Sequence, residues 1–314
     1  MTRWTTSVLA VLLIFLTAAI ALSQGPASVS GIPGVVAQGE MVELVKEGFV
    51  FTEGPLGTAD GGLFFSDIMG ANRTYRLDST GKIAVFREQT NGANGLALTR
   101  SAELLAAEGD SKRITRIRSD GTALVLTEGL PDAPLLAPND LIMDSKGGIY
   151  FTDPGPRPVV PGRKAYVYYL PNGAKQPVIL EDQIVRPNGL TLSNDGKTLI
   201  VDNTVGDTVY AFEVQSNGTI KNKRPFAHLV EIPPGQESGA DGMALDRNDR
   251  LYVTTIRGVQ VFDKAGRYLG TISVPRQPAN VAFSGPNKRT LYITAREGLY
   301  RLRMLSQGPD RPGK

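Results

Sequence analysis

Six polar residues recur in one local context. Each follows a small residue, Thr or Pro and, in most copies, precedes a Gly or another small residue and then an apolar run. They are Glu53, Asn94, Asn139, Asn188, Asp241 and Asn280, separated by steps of 41, 45, 49, 53 and 39 residues. Carboxylates brought together repel one another unless a cation lies among them. An all-oxygen donor set suits a hard divalent ion, Ca2+ first, then Mg2+ or Mn2+. Glu53 and Asp241 supply the two negative charges that balance such an ion. Composition narrows the alternatives. The chain of 314 residues has no Cys and a single His, His228. That excludes a disulfide framework, an iron–sulfur cluster, a Cys nucleophile and a zinc cage built from Cys and several His. A Ser-His-Asp triad would have to use His228, which lies in an outer-strand pattern remote from the polar residues of its repeat.

The elements that position these residues follow from the spacing. A repeat of about 45 residues with several short strands in each copy marks a β-propeller. Ile149-Tyr-Phe-Thr-Asp153 follows the turn Asp144-Ser-Lys-Gly-Gly148, and Leu251-Tyr-Val-Thr-Thr255 follows Asp246-Arg-Asn-Asp249. Asp/Asn/Gly turns between β-branched and aromatic runs are hairpins, so Asp60, Asp120, Asp144, Asp195, Asp246 and Asn248 are read as turn formers. The expected fold is all-β: a six-bladed propeller of four antiparallel strands per blade over residues 41–304. The last repeat lacks an evident fourth strand, and residues 40–46 are expected to supply it and close the ring. In a propeller the first strand of each blade lines the central channel. The six repeat markers therefore converge on one channel mouth. The ends of the second strands return to the same face as a second ring: Asp67, Glu108, Asp153, Asn203, Thr255 and, one place on, Arg296.

The first 23 residues read as a signal peptide, with Arg3 before an apolar run over residues 8–22 and a small-x-small ending before Gln24. As a helix that run rises about 22 Å, short of the ~30 Å hydrocarbon core; an uncleaved anchor is the rival. The expected product is exported, periplasmic or secreted. Residues 24–40 read as a flexible lead-in and 305–314 as a C-terminal tail. The net charge of +3 is spread along the chain without a basic block, which argues against a nucleic-acid partner.

Four segments carry a resemblance: Phe51-Thr-Glu-Gly-Pro55, Ala137-Pro-Asn-Asp-Leu141, Arg186-Pro-Asn-Gly-Leu190 with Ser193-Asn-Asp-Gly196, and Gly239-Ala-Asp-Gly-Met-Ala-Leu-Asp246. In this order they resemble the blade motifs of the senescence-marker-protein (regucalcin)/gluconolactonase-like family. The resemblance implies a six-bladed propeller with one divalent metal in the mouth, commonly Ca2+ or Zn2+, and hydrolysis of sugar lactones or related esters. It places the metal ligands on Glu53, Asn188 and Asp241, and a substrate-side pair on Asn139 and Asp140. One departure concerns the substrate: some of these hydrolases carry an Arg two places before that Asn, where this chain has Ala137. The expected chemistry is attack of an activated water on a lactone carbonyl. Asp140 is the first candidate for its base and Asp241 the alternative. Asn139, Asn94 and Asp153 are expected on the substrate side. Two other classes compete: a strictosidine-synthase-like or lyase propeller, and a non-enzymatic binding propeller.

Overall fold

A computed structural model describes residues 27–118, 120–158, 162 and 164–310. The expected signal peptide lies outside them. Six antiparallel sheets are formed. The first blade comprises Thr52–Gly57, Leu63–Asp67, Arg73–Leu77 and Ile83–Glu88. The second comprises Ala93–Leu98, Leu104–Glu108, Arg113–Ile117 and Ala123–Thr127. The third is built from Leu141–Met143, Ile149–Asp153, Tyr166–Leu170 and Val178–Glu181, and the fourth from Leu190–Leu192, Thr198–Val201, Thr208–Val214 and Ile220–His228. Met243–Leu245, Leu251–Thr255, Gly258–Phe262 and Tyr268–Ile272 form the fifth. The sixth combines Asn280–Ser284, Thr290–Ala295 and Gly298–Arg303 with Met41–Glu47 from the other end of the chain. Met41–Glu47 pairs antiparallel with Gly298–Arg303, Glu43 opposite Arg301, so both ends of the chain share one blade.

Burial follows strand rank. Second strands such as Leu63–Asp67 and Ile149–Asp153 are buried along their whole length. An outermost strand such as Ile83–Glu88 is largely exposed. The core lies between blades: Ala97, Leu105 and Ile114 of the second pack with Leu141, Phe151 and Tyr168 of the third. Each blade thus buries both faces, which accounts for the near-continuous apolar runs of the inner strands. Among the described residues there is no α-helix, only a short 3-10 turn over Pro286–Lys288.

The hairpins close as their turn residues require. Asp144 Oδ1 accepts the amides of Lys146 and Gly148 at 2.7 and 2.9 Å. Asp246 Oδ1 does the same for Asn248 and Arg250 at 2.8 and 3.0 Å. Asp60, Asp120 and Asp195 repeat the pattern.

The segment read as a flexible lead-in is packed from residue 27 onward. Ala27–Ser28 adds a fifth strand beside Met41–Glu47, and Val29, Ile32, Val35 and Val36 are buried against the sixth-blade core. The Gly/Ser/Pro content suggested mobility, but the four aliphatic side chains between those residues decide the outcome. The C-terminal residues lie alongside: the Leu305 and Ser306 amides both donate to the Val35 carbonyl, at 2.9 and 3.1 Å.

Glu108 pins the first blade to the second. Its fully buried carboxylate accepts from Arg87 of the first blade at 2.9 Å, and from Arg113, Asn91 and Thr115 at 2.7, 3.2 and 3.0 Å. Glu108→Gln keeps the shape but leaves two guanidinium groups, 15% and 25% exposed, without their counter-charge. It should cost about 2 kcal/mol in urea unfolding, below the full cost of breaking a buried pair because both Arg reach water. A loss under ~0.5 kcal/mol would mean that the pin contributes nothing beyond an ordinary surface pair.

Candidate metal and substrate site

All six repeat markers lie at or just before the start of a first strand, so the channel mouth is built from six equivalent strand entries. Backbone packing there is very close. A Cβ on Gly54 would lie 2.0 Å from the Asn94 carbonyl oxygen, one on Gly189 2.1 Å from that of Asp241, and one on Gly242 1.8 Å from the Asn280 side chain. A Cβ on Gly95 would meet Asp140 at 2.5 Å. The marker-Gly pairs in the sequence therefore have a packing cause: each Gly is the surface on which the next blade's marker rests. Asp140 occupies the equivalent place in the third blade, and it alone of the six puts a charged side chain there.

Second strands latch these entries together. Ser66 Oγ donates to the Asn94 carbonyl at 2.8 Å and Thr152 Oγ1 to that of Asn188 at 2.6 Å. Thr254 Oγ1 donates to Ala279 at 2.8 Å, whereas Thr294 Oγ1 stays within its own blade, on the Asn280 carbonyl at 3.2 Å. In the fourth blade a carboxylate replaces the hydroxyl. Asp202, fully buried, accepts the Gly189 amide at 3.1 Å through Oδ1.

The charge of Glu53 acts on Asp241, and the Asn188-Gly189 entry packs against the Asp241 backbone. Glu53, 2% exposed, accepts the Gly54 amide at 3.0 Å and the Asn280 Nδ2 at 3.2 Å through Oε2. Asn280 Oδ1 in turn accepts the Val281 amide at 2.8 Å, so Asn280 orients Glu53 and offers its nitrogen inward. Asn188 donates Nδ2 to Thr204 Oγ1 at 3.2 Å, and its buried Oδ1 has no protein partner. The buried Oδ1 of Asn94 likewise has none. Asp241 is held well above the usual carboxylate range, first by desolvation and then by the charges of Glu53, Asp202 and Asp140, with Arg186 opposing. Among the described residues no three His, Cys, Asp or Glu side chains converge as a metal cage on their own; the set here is two carboxylates and an amide. An orphaned amide oxygen beside mutually repelling carboxylates fits a hard divalent cation.

Asp140 is 1% exposed and accepts the Leu141 amide at 2.9 Å through Oδ1. The Asn139 side chain is partly exposed and forms no hydrogen bond within the described residues.

Asp153 does not belong to this set. Its carboxylate accepts the Leu136 and Ala137 amides at 2.7 and 2.8 Å and the Gly155 amide at 3.2 Å. Successive residues of a strand face opposite sides: Thr152 faces the entries of the channel strands, and Asp153 faces the incoming connection. Other members of the second ring behave alike, except Thr255, which bonds Arg257 and Gly258 within its own hairpin. Asp67 accepts the Val50 and Phe51 amides, both at 2.9 Å, and Asn203 accepts that of Arg186 at 3.1 Å. Arg296 stacks over Phe51 and bonds Gln277. Apart from Thr255, this ring clamps the chain between blades.

Two residues near the mouth have no counterpart among the predicted ones. Asp202 occupies a position that reads as Ser or Thr in four other blades, so the repeat itself marks it as an exception. Arg186 is 7% exposed and stands two residues before Asn188. His228 lies exposed at the end of an outermost strand, 3.4 Å from Thr208. A cavity of about 920 Å3 opens at the opposite ends of the strands, between the first two blades, and contains none of the predicted site residues.

A six-bladed propeller with an acidic, oxygen-lined mouth defines the class, and comparisons with known proteins define the family. Residues 51–297 match the SMP-30/Gluconolactonase/LRE-like region. The chain belongs to that family. It is 25% identical over 300 residues to a gluconolactonase of Zymomonas mobilis, covering 85% of this chain and 82% of that one. Its structure superposes on that of a Xanthomonas campestris gluconolactonase with TM-score 0.78 and 29% identity, over 89% and 94% of the two chains. A calcium-binding regucalcin of Agrobacterium tumefaciens shares the fold, with TM-score 0.75 and 20% identity over 87% and 97%.

The state of Asp241 yields a pH prediction. Its folded pKa is raised above the reference value of 3.8. The folded chain therefore keeps a proton that the unfolded chain releases, and this stabilisation is lost as pH rises from about 4 through the raised value. In chelator, the melting temperature of the wild type should fall across that window. Asp241→Asn should remove this component of the slope; identical slopes in the two proteins would refute the assignment.

Proposed function

We propose that the protein is a metal-dependent lactonase that opens a sugar lactone or a related ester in the propeller mouth. One observation carries the reading: the bare Asn188 oxygen stands at the strand entries that also bring Glu53, Asp140 and Asp241 together. The family match supports the substrate class.

Glu53, Asn188 and Asp241 would hold a divalent ion, Ca2+ first, with Zn2+, Mg2+ or Mn2+ as alternatives. When bound, that ion supplies Lewis-acid polarisation of the carbonyl and a lowered pKa for water. Asp140 acts on the water. Its carboxylate adjoins the ligand set without belonging to it, and it takes the proton as the water oxygen bonds to the acyl carbon. The ring C–O bond then breaks, and Asp140 returns the proton to the departing alkoxide. Asp241 is the alternative base. Asn139 and Asn94 present amides to the substrate hydroxyls, and the buried walls around Asp140 keep bulk water from competing with these contacts. An N-terminal leader of the expected form supports export to the periplasm or exterior.

A pH-stat screen of aldonolactones and simple aryl esters tests the reading. Turnover should be lost in EDTA and restored by divalent metal. Asp140→Asn should lower kcat about 100-fold or more while metal still binds. Glu53→Gln and Asp241→Asn should lose the metal itself, read by calorimetry. Chelator-insensitive hydrolysis, or full activity in Asp140→Asn, would overturn this assignment of roles.

A further inference from the structure

Arg186 is an unusual arginine. Its side chain is buried, yet its acceptors are two distant loop carbonyls, Pro154 from Nη1 and Gly155 from Nη2, both at 3.4 Å. Its buried Nε has no partner. A guanidinium carries five N–H donors in a fixed plane, and leaving them poorly satisfied in a buried place is costly. The backbone beneath it is rigid: Asn203 Oδ1 accepts its amide at 3.1 Å, and its carbonyl accepts from Thr204 at 3.0 Å. The charges acting on this group are Arg157, Asp241 and Glu237. Asp241 is a proposed metal ligand, so Arg186 flanks the reacting centre. Arg157 rises from the loop after the third blade's second strand, pairs with Glu237 at 2.9 Å and is half exposed. Two like charges thus act on each other beside the mouth. The single carboxylate of Glu237 already pairs with one of them, and the other keeps an unsatisfied donor.

An arginine in this condition is completed by an anion. A carboxylate matches the guanidinium fork with two parallel hydrogen bonds, which a neutral hydroxyl cannot supply. We propose that Arg186, assisted by Arg157, is a specificity-determining residue that binds a carboxylate on the substrate, so that the preferred substrates are lactones carrying an acid group. This deepens the lactonase reading and rests on it. Arg186 belongs to the segment entering the fourth blade and Arg157 to the loop leaving the third. The anionic end of the substrate would therefore lie over the junction of these two blades, with the lactone carbonyl toward Asp241 and Asp140.

The test compares D-glucono-γ-lactone with the matched D-glucaro-γ-lactone, which differ in a hydroxymethyl against a carboxylate. In the metal-loaded wild type, kcat/KM should favour the acid lactone by about tenfold or more, as expected for a charge-assisted hydrogen-bond pair. Arg186→Met should reduce that ratio at least about tenfold, mainly through KM, and Arg186→Lys should restore part of it. Arg157→Gln, at an exposed position that the fold tolerates, should reduce the ratio about threefold. An unchanged ratio in Arg186→Met, or a wild-type ratio at or below one, overturns the proposal. If neither lactone is opened by the wild type, the hydrolase reading fails by itself. The anion site is then read by calorimetry with the same two intact lactones. Tighter binding of the acid lactone that is abolished in Arg186→Met supports it, and equal binding overturns it.

Discussion

Like-charge crowding is the constraint on which the rest depends. The charges of Glu53, Asp202 and Asp140 all act on Asp241 at a single mouth, and desolvation makes that repulsion stronger than it would be in water. No local element could hold such a set. Each carboxylate enters from a different blade, so the repulsion is borne by the closure of the whole ring. The latches from Ser66, Thr152 and Thr254 to carbonyls of the next blade and the apolar layers between blades set the spacing. Small motions of one side chain then relieve little of the strain, and a divalent ion is the partner best able to relieve it.

Glycine has a specific part in this arrangement. At Gly54, Gly189 and Gly242 a Cβ would press into the next blade's entry. The absent side chain lets successive entries approach until their polar groups share one space. Asp140 breaks the pattern in the third blade, and so a carboxylate stands within the ring at a place where the other entries carry no charged side chain.

Much of this was legible in the sequence, because a propeller repeats its physical problem six times. The period, the hairpin aspartates and the marker residues all state the same unit, and residues 40–46 suggested the closing strand. Errors arose where two adjacent positions compete. Thr152 and Asp153 both end a second strand, and the carboxylate is the stronger chemical signal, but alternation along the strand turns Asp153 toward the backbone of the connection. The same bias passed over Asp202 in favour of Asn203. Arg186 stands within a motif, but no other repeat has a charged residue at that place, and periodicity is silent about single exceptions. The packed stretch after residue 27 was hidden by its glycines and prolines, although Val29, Ile32, Val35 and Val36 offered an apolar face.

The closing strand also bears on how the molecule is made. Arg301 bonds Glu43 across 258 positions of sequence, and Thr52 of the first blade bonds the Gly298 carbonyl across 246. Contacts this distant form late, because the loop they close must be ordered first. While the chain is being synthesised, Met41–Glu47 can pair with Ala27–Ser28, but the edge that will meet Gly298–Arg303 stays open until the last three strands emerge. The early blades can pair locally, but the mouth, with its opposed carboxylates, exists only after the final seam is joined. A chain halted before that seam presents open strand edges rather than a smaller version of the site, so assembly of the site is an all-or-none event tied to the pairing of Met41–Glu47 with Gly298–Arg303.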